Sequence, residues 1–179
     1  DKTTVIYSDT NRFNEELICK DILYKKMLRE QPDVDWVLWL DGDLLLDGRL
    51  LVDNNLEKLC AKLDEKNVDL PCFGHYNLWR SDTFYRVDQG YHNLHGRWFP
   101  LWGKPKNKYF DAIPGLHHGQ VPQGTTKAAI VDVSVIHRGF ATDEYIVEKY
   151  LRYKELGQKG WDLDRLIDEE TLTVEHLPI

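Results

Sequence analysis

The sequence predicts an α/β domain with a mixed, mostly parallel sheet flanked by helices. Three stretches carry that expectation. Trp36-Val-Leu-Trp-Leu40 is a short, unbroken apolar run that stops at Asp41-Gly42-Asp43, which suits a buried strand better than an amphipathic helix. Val52, Leu56, Leu59, Cys60 and Leu63 recur at helical spacing and form one apolar stripe. Ala128 to Ile136 alternates, with Ala129, Val131, Val133 and Val135 on one face, the period of a half-buried strand.

Thr3 to Ser8 reads as a first strand closed by Asp9. Asn11 or Asn14 can cap the following helix, and Glu15 and Glu16 suit the positive end of its dipole. That helix runs to about Gln31, where Pro32 ends it, and Leu17, Tyr24 and Leu28 align along one side. Strand, helix and the Trp36–Leu40 strand together make a βαβ unit. Leu44 to Leu46 and Asp47-Gly48 form a short apolar step and a turn before the helical stripe. Val68 to Phe73 is a strand that Pro71 pushes toward a sheet edge. From Gly74 to Gln123 helical periodicity disappears, leaving strand-like pieces at Tyr76–Trp79, Phe84–Val87 and Trp98–Trp102. After the alternating strand comes His137-Arg138-Gly139-Phe140, and Thr142 or Asp143 then caps a long helix stopped by Gly157. Ile146, Tyr150 and Tyr153 share one flank of it, Val147 and Leu151 the next, and 144–154 is otherwise a solvated face. A shorter helix from Asp162 to about Glu170 and a polar tail complete the chain.

A length of 179 residues fits one domain, 1–179. The apolar stretches are of strand length, so no transmembrane segment is expected. A formal net charge of −7 argues against nucleic acid as a partner. Cys19, Cys60 and Cys72 are odd in number and lack a C-x-x-C spacing. They read as small apolar residues in a reducing compartment, with the cytoplasm as the default location. His92, His95, His117 and His118 lack the partners a zinc site needs and read as loop residues.

The chemistry of the chain points to Asp41 and Asp43. In open α/β sheets, ligands gather beyond the carboxyl ends of the strands. Two adjacent carboxylates repel, a bound divalent cation relieves that repulsion, and oxygen ligands suit magnesium, manganese or calcium. A bare D-x-D is often only a solvated turn; its place at the end of an apolar strand is what singles this one out. An EF-hand loop starting at Asp41 would need glycine at its sixth position, where Leu46 stands. A phosphatase of the haloacid dehalogenase type would carry the pair on its first strand with a hydroxyl residue after it, whereas Leu44-Leu45 follows here.

Asp35-Trp-Val-Leu-Trp-Leu-Asp41-Gly-Asp43 resembles the metal motif of GT-A glycosyltransferases, particularly the family-2-like bacterial enzymes. Pro114-Gly-Leu-His-His-Gly119, Val135-Ile-His137-Arg-Gly-Phe140 and Glu148-Lys-Tyr150-Leu-Arg-Tyr153 are similar, in order, to the closing segments of those enzymes. The resemblance implies a GT-A-like, Rossmann-like fold and a UDP- or GDP-linked sugar as donor. It implies Mn2+ or Mg2+ held by Asp41 and Asp43, with His137 as a further ligand, and a saccharide or other hydroxyl as acceptor. Donor contacts are expected from Asp41 and from Asp9, with Arg97 and Lys104 as phosphate partners in a local basic stretch. A complete domain of this type opens with more nucleotide-binding strands than this chain shows. The N-terminal strands are therefore expected to be incomplete, through cropping or a degenerate pocket. The acceptor's base is unassigned: where related enzymes carry an acid this chain has Gln120, Pro122 and Gln123, leaving Asp88, Asp111 and His118 as candidates. Trp79, Trp98 and Trp102 are candidate sugar platforms, and Trp39 a core residue. Two other readings stay open, a non-catalytic carbohydrate- or nucleotide-binding domain and a metal-dependent phosphohydrolase.

Overall fold

The structure, a computed structural model, describes residues 15–88, 93–111, 121–157, 166 and 172–178, with backbone alone at 93–97. The expected strand at Thr3–Ser8, the caps Asn11 and Asn14, and the Pro114–Gly119 segment lie outside these residues, as does the 162–170 helix apart from Leu166.

The described elements are α1 (Glu16–Glu30), β1 (Trp36–Leu38), β2 (Leu44–Leu46), a 3-10 turn (Gly48–Leu50), α2 (Asn55–Glu65) and β3 (Leu70–Asn77). They continue with β4 (Phe84–Arg86), β5 (Asn93–Trp98), β6 (Leu101–Gly103), a 3-10 turn (Pro105–Asn107), β7 (Ala128–His137), α3 (Asp143–Glu155) and β8 (Val174–His176). A four-stranded sheet has the order β2-β7-β3-β5, and β1-β6 and β4-β8 form two-stranded sheets. The mixed α/β class holds, but the mostly parallel sheet does not. Among the described strands only β3 and β7 pair in parallel; β2–β7, β3–β5, β1–β6 and β4–β8 are antiparallel. Parallel neighbours need a long crossover, and the long excursion from β3 to β7 supplies one; the antiparallel pairs likewise join strands that are not consecutive in the chain, so none of them is a hairpin set by a short turn.

The Trp36–Leu40 run is a second correction. It forms a three-residue strand beside β6, with Trp36 opposite Gly103 and Leu38 opposite Leu101. Leu38 and Leu40 are 37% and 38% exposed, so the run is not buried on both faces. Its apolar character comes from two aromatic anchors. A Cβ at Gly103 would lie 2.9 Å from the Trp36 ring, and Trp39 stacks on buried Trp102 at 5.7 Å.

Pro71 sits in an interior strand, not an edge. The Leu70 N–H bonds Lys127 O, toward β7. Successive residues alternate sides, so the N–H missing at Pro71 would face β5, whose pairing with β3 begins only at Phe73. No ladder bond is lost.

The alternation of β7 is as expected. Val135 is buried, and Ala129, Val131 and Val133 pack on the same core as Leu44, Leu50, Leu63, Val68, Phe73 and Leu101. Ile130 on the opposite face is 65% exposed. α2 covers this core with Leu56, Leu59, Cys60 and Leu63; Val52 precedes the helix and is exposed. Against a second cluster with Leu70, Trp102 and Phe110, α1 lays Leu17, Tyr24 and Leu28, and the Tyr24 hydroxyl donates to Pro105 O at 2.6 Å. Among the described residues no helix is long and apolar enough to cross a membrane, and Cys19, Cys60 and Cys72 are free thiols.

A buried ion pair joins the two cores. Lys108 Nζ lies 2.6 Å from Asp69 Oδ2, with side chains 0% and 1% exposed. Asp69 also accepts from the backbone N–H groups of Thr126 and Lys127, pinning the start of β7 to the start of β3. Burial pushes the carboxyl up, but Lys108 and these N–H donors outweigh it and hold the pKa at about 2. Lys108→Met leaves a buried, uncompensated carboxylate and should cost about 3–5 kcal/mol in urea unfolding. Because the folded-state pKa is depressed, Asp69 stabilises fully above the ordinary carboxyl range near pH 4, and the contribution fades as pH falls toward 2. Asp69→Asn should flatten the acid limb of the stability profile over that interval.

Candidate functional site

Strand register builds the site. After β1 the chain turns at Asp41-Gly42-Asp43, closed by the Leu44 N–H bonding Asp41 O at 3.0 Å. β2 then pairs with β7 so that Leu44 faces His137, and the Arg138 N–H bonds Asp43 O at 2.8 Å. On the other side of β7, Asn77 of β3 is the register partner of His137. Asn77 and His137 are thus cross-strand neighbours, and Asp43, one residue before β2, stands beside them at the same end of the sheet. Their side chains meet: His137 Nδ1 is 2.8 Å from Asn77 Oδ1, and His137 Nε2 is 3.0 Å from Asp43 Oδ2. With the Asn77 oxygen accepting from Nδ1, Nε2 is the nitrogen turned toward Asp43.

Helix α3 adds a cation. The Thr142 hydroxyl caps it by accepting from the Tyr145 N–H, and Ile146, Tyr150 and Tyr153 pack inward with Trp79, Phe140 and Leu166. On the edge of that flank, Lys149 Nζ lies 3.3 Å from both Asp43 Oδ2 and His137 Nε2. The ammonium also sits 4.3 Å from the centroid of the Phe140 ring, a cation–π contact. The hydrogen bond from His137, with the charges of His137 and Lys149, holds the Asp43 carboxyl well below the usual range despite burial. Burial pulls the Lys149 pKa down, and Asp43 opposes that shift. Behind His137, His75 stacks on Trp98 at 4.5 Å, and burial lowers its pKa to about 3, which keeps the ring neutral.

The cluster opens into a cavity of about 270 Å3 whose lining includes Gly42, Asp43, Arg138, Gly139, Lys149 and Arg152. Arg138 reaches Asp82 at 2.8 Å, and Arg152 pairs with Glu148 one helical turn away. Gly139 is what allows the groups to converge. A Cβ there would lie 2.1 Å from Lys149 Nζ, 2.5 Å from Asp43 Oδ2 and 2.6 Å from His137 Nε2.

The Asp43–His137 separation is that of the hydrogen bond they make and is also compatible with two ligands of one divalent ion. Adjacent ligands of an octahedral ion, each about 2.1 Å away, are about 3.0 Å apart, and the Oδ2–Nε2 separation is 3.0 Å. Asp41 does not join them: among the described residues no group of three or more His, Cys, Asp or Glu side chains is placed to hold a metal. Such an ion would rest on two protein atoms, its other ligands coming from outside those side chains.

The other expected residues are scattered. Asp41 is half-buried at the head of the turn, near enough to Lys149 to act on its charge. Lys104 is exposed, and its N–H bonds Asp35 O, placing it at the end of β1 opposite the acid pair. Asp88 is locked to buried Arg86 at 2.6 Å, and Asp111 is exposed. Asp9, His118 and the Arg97 side chain lie outside the described residues. Trp79 and Trp102 are 4% and 0% exposed and cannot act as sugar platforms; Trp98 is half-buried against His75. Sequence reasoning read 144–154, with Lys149 and Arg152, as a solvated face apart from the resemblance of Glu148–Tyr153 to a closing segment, gave neither residue a role, and passed over Asn77. Lys149 was findable, since 146, 149, 150 and 153 form one helical stripe and a lysine inside an apolar stripe needs a partner.

What fold and site define is a mixed α/β domain with an Asp–His–Lys cluster at the end of its largest sheet, facing a cavity lined by cationic side chains. No family model, curated protein or solved structure matches the chain. Gly139→Ala should force the three converging groups apart and cost about 1–3 kcal/mol in urea unfolding. Gly42→Ala, where a Cβ meets nothing within 4 Å, serves as the comparison and should change stability by about 0.5 kcal/mol or less.

Proposed function

We propose that the protein transfers a sugar from a UDP- or GDP-linked donor to an acceptor hydroxyl, using Mn2+ or Mg2+, on a GT-A-like fold. The observation that carries the proposal is Asp43, at the end of a strand-turn D-G-D, held by His137 at the mouth of a cavity that Arg138, Lys149 and Arg152 also line. When bound, the divalent ion supplies positive charge to the departing diphosphate, which leaves with more negative charge than it carried in the donor. Asp43 and His137 would hold that ion. Asn77 holds the His137 ring through Nδ1, so that Nε2, once it releases its proton, would offer its lone pair to the ion. Arg138, Lys149 and Arg152 can donate to phosphate oxygens, the arginines through two parallel N–H groups. The D-G-D turn and the His137 to Tyr153 segment, far apart in sequence, supply opposite sides of one cluster, which supports the GT-A-like comparison. Free cysteines are in keeping with a cytoplasmic location.

One observation favours a second reading, nucleotide binding without metal or catalysis. The Lys149 ammonium already stands against both atoms that would hold the ion. Calorimetry of UDP- and GDP-sugars, with and without Mn2+, separates the two. The first reading expects metal-dependent binding that Asp43→Asn weakens by about tenfold or more. Binding indifferent to metal would establish the second, and phosphate release without any acceptor would point to hydrolysis instead.

A further inference from the structure

We propose that Lys149 is a tethered counter-cation, which holds the Asp43–His137 pair together in the metal-free protein and competes with the divalent ion for the same two atoms. The proposal rests on the metal reading of that pair given above, and it assigns a regulating role to a residue of the same site.

Its position argues for more than a surface ion pair. The Lys149 ammonium is equidistant, at 3.3 Å, from Asp43 Oδ2 and His137 Nε2. Its side chain is 24% exposed, against 38% for Asp43 and 14% for His137, so all three groups are partly withdrawn from water. The face of Phe140 supports the ammonium at 4.3 Å. Gly139 leaves the space, since a Cβ at that residue would come within 2.1 Å of Nζ. A bare carboxylate in such a place would be costly to keep, and Lys149 neutralises it.

The same geometry makes Lys149 and a divalent ion mutually exclusive. An ion bound to Asp43 Oδ2 and His137 Nε2 would stand a few ångströms from an ammonium that touches both. At that range, in a partly desolvated site, two positive charges repel strongly. Lys149 must therefore withdraw as the ion enters. Its flexible stem lets Nζ turn into the cavity, where Arg138 and Arg152 also lie and where the proposed diphosphate would be. The ammonium thereby lowers the affinity for the ion alone and raises it for ion and diphosphate together.

The test is binding of Mn2+ alone to the full chain, followed by the loss of its free-ion EPR signal and by calorimetry, then repeated with pyrophosphate. Lys149→Met keeps the length of the stem and removes the charge; Lys149→Gln is a second charge-removing variant, and Lys149→Arg keeps the charge. The Met and Gln variants should bind Mn2+ on the order of tenfold tighter than the wild type, and Arg should not. The Met variant should also melt earlier without metal and regain more thermal stability on adding Mn2+. In the presence of pyrophosphate the advantage of the Met variant should shrink. A folded Met or Gln variant that binds Mn2+ no tighter than the wild type, while the wild type does bind it, overturns this proposal and leaves the metal reading standing. Uptake of Mn2+ by none of the proteins, with or without pyrophosphate, overturns both.

Discussion

The pairing of β7 with β2 on one side and β3 on the other is the constraint on which the rest depends. It sets Leu44 and Asn77 on either side of His137 and brings Asp43, the residue before Leu44, to the same strand end, which collects an acid, an imidazole and an amide. Because side chains alternate, a slip of one residue would turn His137 away and also move Val131, Val133 and Val135 out of the core. Hydrophobic burial and site assembly therefore enforce the same register. The Asp69–Lys108 pair fixes the other end of that register, where Asp69 holds the N–H groups of Thr126 and Lys127 immediately before β7.

Local pattern made some of this legible in the sequence. The alternation of β7, the Thr142 cap and inward flank of α3, and the end of α1 before Pro32 follow from period, hydroxyl and ring, and the structure has each of them. Partner choice was not legible. The Trp36–Leu40 run looks like a central parallel strand because its bulk comes from tryptophans, whereas those rings pack on Gly103 and Trp102 of an antiparallel neighbour. Pro71 suggested an edge because sequence does not say which side of a strand is paired near its start. At the site, the acid pair and His137 could be read, but only their three-dimensional neighbours could reveal that Asp43 meets the imidazole at 3.0 Å and that Asn77 and Lys149 meet the same ring. Lys149 stood in the Glu148–Tyr153 segment, but a charged residue on a helix has solvent as its default partner, and only the fold brings Asp43 and His137 to it.

The balance of charge at the site differs from that of the chain. A formal net charge of −7 makes the protein acidic as a whole. Yet the cavity gathers Arg138, Lys149 and Arg152 beside Asp43 and Glu148. Field at a pocket depends on the nearest partly desolvated groups, since solvent and salt screen the remaining surface beyond about a Debye length of 8–10 Å. An anionic ligand is thus compatible with an acidic protein, and the excess of acid elsewhere discourages polyanions that would need a broad basic face.

Those cations are, however, already engaged: Arg138 with Asp82, Arg152 with Glu148, and Lys149 with Asp43. Each pairing is close to neutral, so a diphosphate entering alone would have to take donors from carboxylates and leave those carboxylates short of charge. Arg138 and Arg152 are 47% and 45% exposed and their pairs can open at small cost. Lys149 is less exposed, and releasing it strips Asp43 of its counter-charge. On the reading proposed above, a divalent cation arriving with the diphosphate would resolve this. It would bring about as much positive charge as the diphosphate brings negative, so that Asp43 would keep a counter-charge while the ammonium turned to a phosphate oxygen. On that reading the pairing pattern of the cluster favours joint entry of metal and diphosphate over either alone, and it follows from where Lys149 sits rather than from the D-G-D motif.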